Sequence, residues 1–161
     1  MQKKNQPALH QATSLFREEP VEIKLPPLHD DPLDDLYDQM EILGFTLTNP
    51  FEMVDDDPAG YTPASEFVDN IGKTITVLAY YIARKGVVTK NRDQMFFGTF
   101  VDSRLDWIDT VHFPESARDY PLHSGGFYRI TGKVTDDFGV YSLEANKMMR
   151  VGYKPRSYDK P

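Results

Sequence analysis

From Ile71 onward, polar and apolar positions alternate. Ile75, Val77 and Ala79 take one parity and Thr74, Thr76 and Leu78 the other, the period of two expected of a β-strand, and the run extends from Gly72 to Arg84 through Tyr80, Tyr81 and Ile82. Such a run is long for one strand, and the small Ala79 at its middle is where a bend or bulge fits. A turn region carrying Lys85, Lys90 and Arg92 leads to a second strand, Gln94 to Val101, and a polar turn, Asp102 to Asp106, leads to a third, Ile108 to Phe113. Pro114 to Tyr120 begins with a proline and an acid and predicts a short helix. Gly125 and Gly126 precede a fourth strand, Phe127 to Val134, and the turn at Asp136, Asp137 and Gly139 leads into a fifth, Val140 to Met149.

Upstream the spacing changes to three and four. Leu33, Leu36, Tyr37, Met40 and Leu43 make one apolar stripe, Asp30 and Asp31 offer an N-cap, Pro32 suits the first turn with Asp34 and Asp35, and Gly44 ends the pattern. This predicts an amphipathic helix of about three turns. Phe45 to Pro63 reads as connector, with Asp55, Asp56 and Asp57 as a solvated acidic loop: neighbouring side chains diverge and no calcium-loop glycine follows, so no metal is expected.

The order β-β-β-α-β-β is that of the OB fold. The expected class is therefore mainly β: a five-stranded Greek-key barrel with one short helix between strands 3 and 4, the long first strand serving both halves of the sheet. It is preceded by the amphipathic helix and a flexible N-terminal tail. The expected boundaries are 1–29 for the tail, 30–70 for an acidic helical connector, 71–153 for the barrel and 154–161 for a C-terminal tail.

Length and composition fit one core: the chain has 161 residues, 40% hydrophobic, and eight of its 12 prolines precede residue 71. Without cysteine there is neither disulfide framework nor thiolate metal site, and no apolar run approaches a membrane span, so a cytoplasmic location is expected. The net charge of −7 divides unevenly: residues 1–71 hold 4 Lys or Arg against 15 Asp or Glu, and residues 72–161 hold 14 against 10. The barrel is thus mildly basic behind an acidic leader, which either keeps the linker extended or masks the barrel.

Alternation assigns faces. In strand four Tyr128, Ile130, Gly132 and Val134 read as core and Phe127, Arg129, Thr131 and Lys133 as surface. Strand two leaves both options open, since Met95, Phe97 and Thr99 oppose Phe96, Gly98 and Phe100 and each set holds aromatics. Val111 and Phe113 oppose Thr110 and His112. No P-loop, dinucleotide glycine pattern, nucleophile elbow or HExxH occurs, and the histidines are scattered, so no catalysis by this chain alone and no cofactor are expected.

Several segments together resemble the C-terminal region of the bacterial DNA polymerase III alpha subunit. TKNRDQMFFGTFVDS (89–103) is similar to that family's T-K-x-G-x-x-M-x-F-x-T-x-x-D segment, followed by IDTVHFP (108–114) and YRITGKV with its hairpin, and MEILGFTLTNPF (40–51) is similar to the connector before that domain. The family's glycine after Thr89-Lys90 is replaced here, and its connector histidine is Asn49. The resemblance implies an OB domain that contacts single-stranded template, and a clamp-binding peptide before it. Gln11, Leu15 and Phe16 resemble such a peptide with one extra residue of spacing, with the sliding clamp and other polymerase subunits as implied partners. The catalytic parts of that family are absent.

The resulting expectation is non-specific binding of single-stranded DNA. Lys85, Lys90, Arg92, Arg104, Arg129 and Lys133 contact phosphates, and Phe97 and Tyr80 stack on bases. The alternatives are an OB fold used for protein contact within the replisome and an RNA-anticodon type of OB domain.

Overall fold

The computed structural model describes residues 31–123 and 125–156. Gln11, Leu15 and Phe16 lie outside them. In chain order the elements are α1 (Pro32–Leu43), four short 3-10 turns, β1 (Thr74–Val88), β2 (Gln94–Val101), β3 (Trp107–His112), α2 (Pro114–Asp119), β4 (Phe127–Asp137) and β5 (Val140–Val151). The strands close a barrel in the order β1-β2-β3-β5-β4. Only β3 and β5 pair in parallel, which seals the barrel and gives the OB topology that the strand order predicts.

Strand β1 belongs to both halves: Thr74 to Tyr80 pair with β4 and Tyr80 to Val88 with β2. Its bulge lies between Tyr81 and Ala83, later than the expected position at Ala79, which is itself a buried core residue. Ala79 is small because Tyr128 sits opposite it in the register and the core is already filled by large rings. The core also holds Val77, Phe100, Ile108, Ile130, Val134 and Leu143, so the inward set of strand four stands, but Phe127, expected at the surface, is fully buried because the connector packs on it; the β2 ambiguity resolves: Phe96, Gly98 and Phe100 face inward. Gly98 is required there, since a Cβ would lie 2.6 Å from the Phe100 ring and 2.7 Å from Thr110 Oγ1.

The connector is a second layer. Helix α1 starts where Asp31 accepts from the Leu33 N–H at 2.9 Å and ends at Gly44, whose φ of 83° only glycine adopts freely. Its buried Leu36 joins Phe51 and Met53 of the first 3-10 turn (Pro50–Met53) and the capping Val54 against Leu78 and Phe127, residues that point out of the barrel. At about 1.5–3 kcal/mol per buried apolar side chain, this cluster outweighs the partly exposed Arg129–Asp56 ion pair, which is of a kind worth about 0–1 kcal/mol. Backbone bonds extend the seam: Lys154 N to Met53 O at 2.8 Å, Asp55 N to Gly152 O at 3.0 Å and Gly72 N to Val134 O at 2.8 Å. The connector therefore covers the outer face of β1 around Leu78 and of β4 around Phe127, while Lys85, Lys133 and the outer face of β2 and β3 are left to solvent.

Candidate nucleic-acid interface

The β1–β2 turn is closed by three bonds: Thr89 N to Asp93 O (2.8 Å), Arg92 N to Thr89 O (2.9 Å) and Asp93 N to Thr89 Oγ1 (3.2 Å). This leaves Arg92 at φ 67°, in the left-handed region. Position 92 is where the resembled pattern carries glycine, and the geometry supplies the reason: a side chain there costs about 1–2 kcal/mol. Arg92→Gly is accordingly expected to stabilise the fold by about 0.5–1 kcal/mol, raising the melting temperature by about 2–4 °C. The same change removes a cation from the hairpin. Calorimetry showing a lower melting temperature would remove the strain argument.

Register defines the exposed face. Lys85 lies opposite Phe97, Phe97 opposite Val111, Val111 opposite Glu144 and Glu144 opposite Lys133, so these five side chains form one outward row around the barrel. Two rows away toward the β2–β3 turn, Trp107 lies opposite Val101, and between them Asp109 lies opposite Thr99 and accepts from its hydroxyl at 3.1 Å. Phe113 continues the outward parity of β3. Phe97 is 43% exposed, Phe113 48% and Trp107 66%, which for rings of this size means free faces on one sheet surface. Steps of two along a strand cover about 7 Å, so Trp107 and Phe97 stand about 13 Å apart along it.

The residues expected to bind fall into three groups. Lys85, Lys90, Arg92 and Phe97 come together at the hairpin and the row beside it, and among the described residues no ion pair engages Lys85, Lys90, Arg92 or Lys133. Lys133 is exposed in the same row but beyond Glu144. Arg104, Arg129 and Tyr80 go to the connector side instead.

Arg104 donates to Ser65 Oγ at 3.3 Å. Arg129 donates to Asp56 Oδ2 at 2.7 Å and lies 5.5 Å from the Tyr61 ring centroid. The bonds from Tyr61 and Arg129 hold the Asp56 carboxyl below its usual range, so this member of the acidic run is engaged by the barrel and not merely solvated. Tyr80 is partly buried on the connector side: its ring packs on Phe127 at 4.9 Å and its hydroxyl reaches Met40 Sδ at 3.7 Å, which leaves less of the ring open for stacking than its parity implies. Trp107 was missed because β3 begins one residue before the expected Ile108, and the residue lay between the expected turn and the expected strand, assigned to neither.

No family model and no curated protein matches the chain. Among solved structures it is similar to one described as an aspartyl-tRNA synthetase from Leishmania major Friedlin, at 15% identity and a TM-score of 0.44. That similarity covers 64% of this chain and 23% of the synthetase chain.

Proposed function

We propose that the chain binds single-stranded DNA across the outer face of β2 and β3, as a template-gripping module of a replicative polymerase. The observation that carries this reading is the open face itself: three exposed rings lie beside a hairpin whose cations make no ion pair among the described residues, while the connector packs on Leu78 and Phe127 elsewhere on the barrel. Phosphates go to Lys85, Lys90 and Arg92, and bases stack on Phe97, Trp107 and Phe113. The polymerase setting rests on the sequence resemblance. In that setting catalysis resides elsewhere in the parent enzyme, and the Gln11 to Phe16 segment tethers the module to the sliding clamp. A protein-contact reading is favoured by the exposed Ile42, Leu43, Phe45 and Leu47 at the end of α1.

Fluorescence anisotropy of labelled oligo-dT across a salt series tests the proposal. Phe97→Ser with Trp107→Ser should weaken binding by about 30-fold or more, since each stacked base contributes about 1–3 kcal/mol and 1.4 kcal/mol is tenfold. Removing Lys85, Lys90 and Arg92 should flatten the salt slope by about 2. Binding that ignores both sets of changes would move the function to the α1 surface and a protein partner.

A further inference from the structure

Beyond its bulge, β1 leaves the barrel with one edge open. The ladder to β4 ends at Tyr80, Tyr81 N still reaches Gly126 O at 3.0 Å, and Ala83 to Val88 then pair with β2 alone. Among the described residues no backbone bond meets the other edge of Ala83 to Val88, and all of them except Val87 are exposed. Such an edge is a template for another strand. On the inward parity, where Arg84 lies opposite Gly98 and Gly86 opposite Phe96, it borders a groove of about 680 Å³. Arg84, Gly86 and Val88 line one wall, and Ala117, Arg118 and Leu122 of α2 and the segment after it line the other. The Arg84 guanidinium donates to the Leu122 carbonyl and ties the two walls together.

Gly86 has no reason inside the fold to be glycine. A Cβ at Gly98 or Gly132, the other glycines within strands, would collide with Thr110 or with the Glu144 carbonyl; at Gly86 it would meet nothing within 4 Å, and the backbone there is not left-handed. A strand glycine of that kind marks the close approach of a ligand or another backbone. The charges on the edge itself are both positive: Arg84 toward the groove and Lys85 on the outward parity. Elsewhere in the groove the signs balance, since Arg92 is followed by Asp93 and Arg118 is paired with Asp119 at 2.9 Å.

We infer that the Ala83 to Val88 edge accepts an extended, acidic segment of a protein partner as an added strand. Paired strands carry facing side chains on the same side of the sheet, so alternate residues of the segment enter the groove beside Gly86, against Val88 and Leu122. Carboxylates on the segment meet Arg84 and Lys85. Pairing the edge with a second copy of this chain would instead bring those like charges together, which disfavours a dimer.

The probe is a random octapeptide library displayed on phage and selected on the full chain. Enriched peptides should combine Asp or Glu with apolar residues. A synthetic copy of the most enriched peptide should slow amide exchange by about 10-fold or more at alternate residues within Ala83 to Val88, because only every second amide faces the open edge. Changing its acids to lysine should abolish binding. Gly86→Val, which places a side chain where the free fold has open space, should weaken the peptide by about 10-fold or more without lowering the melting temperature. No enrichment, slowed exchange confined to other residues, or equal binding of the lysine-substituted copy overturns the edge site.

Discussion

Asp102→Ala is expected to cost about 3–5 kcal/mol, a large share of the stability of a domain this size. The carboxylate is 3% exposed. Its Oδ1 accepts from Arg104 N at 2.8 Å and Asp106 N at 3.0 Å, and its Oδ2 accepts from Ala64 N at 2.9 Å. Three backbone donors thus converge on one charged acceptor, and each such bond is worth about 1.5–3 kcal/mol, with a penalty for any donor left buried and unpaired. Two of these bonds shape the β2–β3 turn and the third pins the connector to it.

Asp102→Asn should recover about half of the loss, because one oxygen remains while the amide nitrogen must face an N–H. Urea titration followed by circular dichroism measures both variants. A midpoint shift worth less than about 1 kcal/mol for alanine would show that the turn holds without its hub. The consequence for binding is a matter of register: a slip of one residue in β3 would turn Trp107 and Val111 inward and His112 outward.

The aspartate also shows what could be read in the chain. It closes the resembled pattern around the hairpin, and the sequence placed β2 at its observed bounds, Gln94–Val101, because alternation and flanking turn residues agree there. The strand order, and hence the barrel, followed from the same local signals. What alternation does not carry is which of two apolar faces meets another layer.

Phe51 and Met53 sit in a 3-10 turn and Val54 caps it, with neither helical nor strand period, yet they decide that Leu78 and Phe127 are covered and Tyr80 partly so. The partial cover of Tyr80 was illegible for that reason: an aromatic on the outward parity looks the same in sequence whether a connector or water lies above it. Arg129 is the polar counterpart, since its partner Asp56 is 73 residues away. The exposure of the hairpin cations Lys85, Lys90 and Arg92 was legible because a turn's exposure is a local property.

Lowering the pH from 7 to 4 is expected to remove about 3 kcal/mol of stability through His112 alone. The ring is fully buried and stacks on Phe96 at 4.1 Å with planes 18° apart. Thr110 Oγ1 donates to Gly98 O at 3.0 Å, which uses its only proton, so the 2.9 Å contact with His112 Nε2 requires that nitrogen to be the donor. Nδ1 then carries a lone pair, and it has no partner. Protonation would place an unpaired N–H and a charge in the core, and burial accordingly pulls the pKa down to about 4.

The unfolded chain binds that proton near pH 6.5, and the folded chain resists it until about 4. Stability from this group is therefore complete above pH 6.5 and is lost progressively as the pH falls toward 4, by 1.36 kcal/mol per pH unit at most. Asp56, whose pKa is lowered from 3.8, loses its contribution only below that window. Urea titrations at pH 7, 6, 5 and 4 should show this decline, and His112→Phe, which keeps an aromatic ring against Phe96 and leaves Thr110 bonded to Gly98, should flatten it. If the slope between pH 6 and 4 is the same in both proteins, the buried imidazole is not its source.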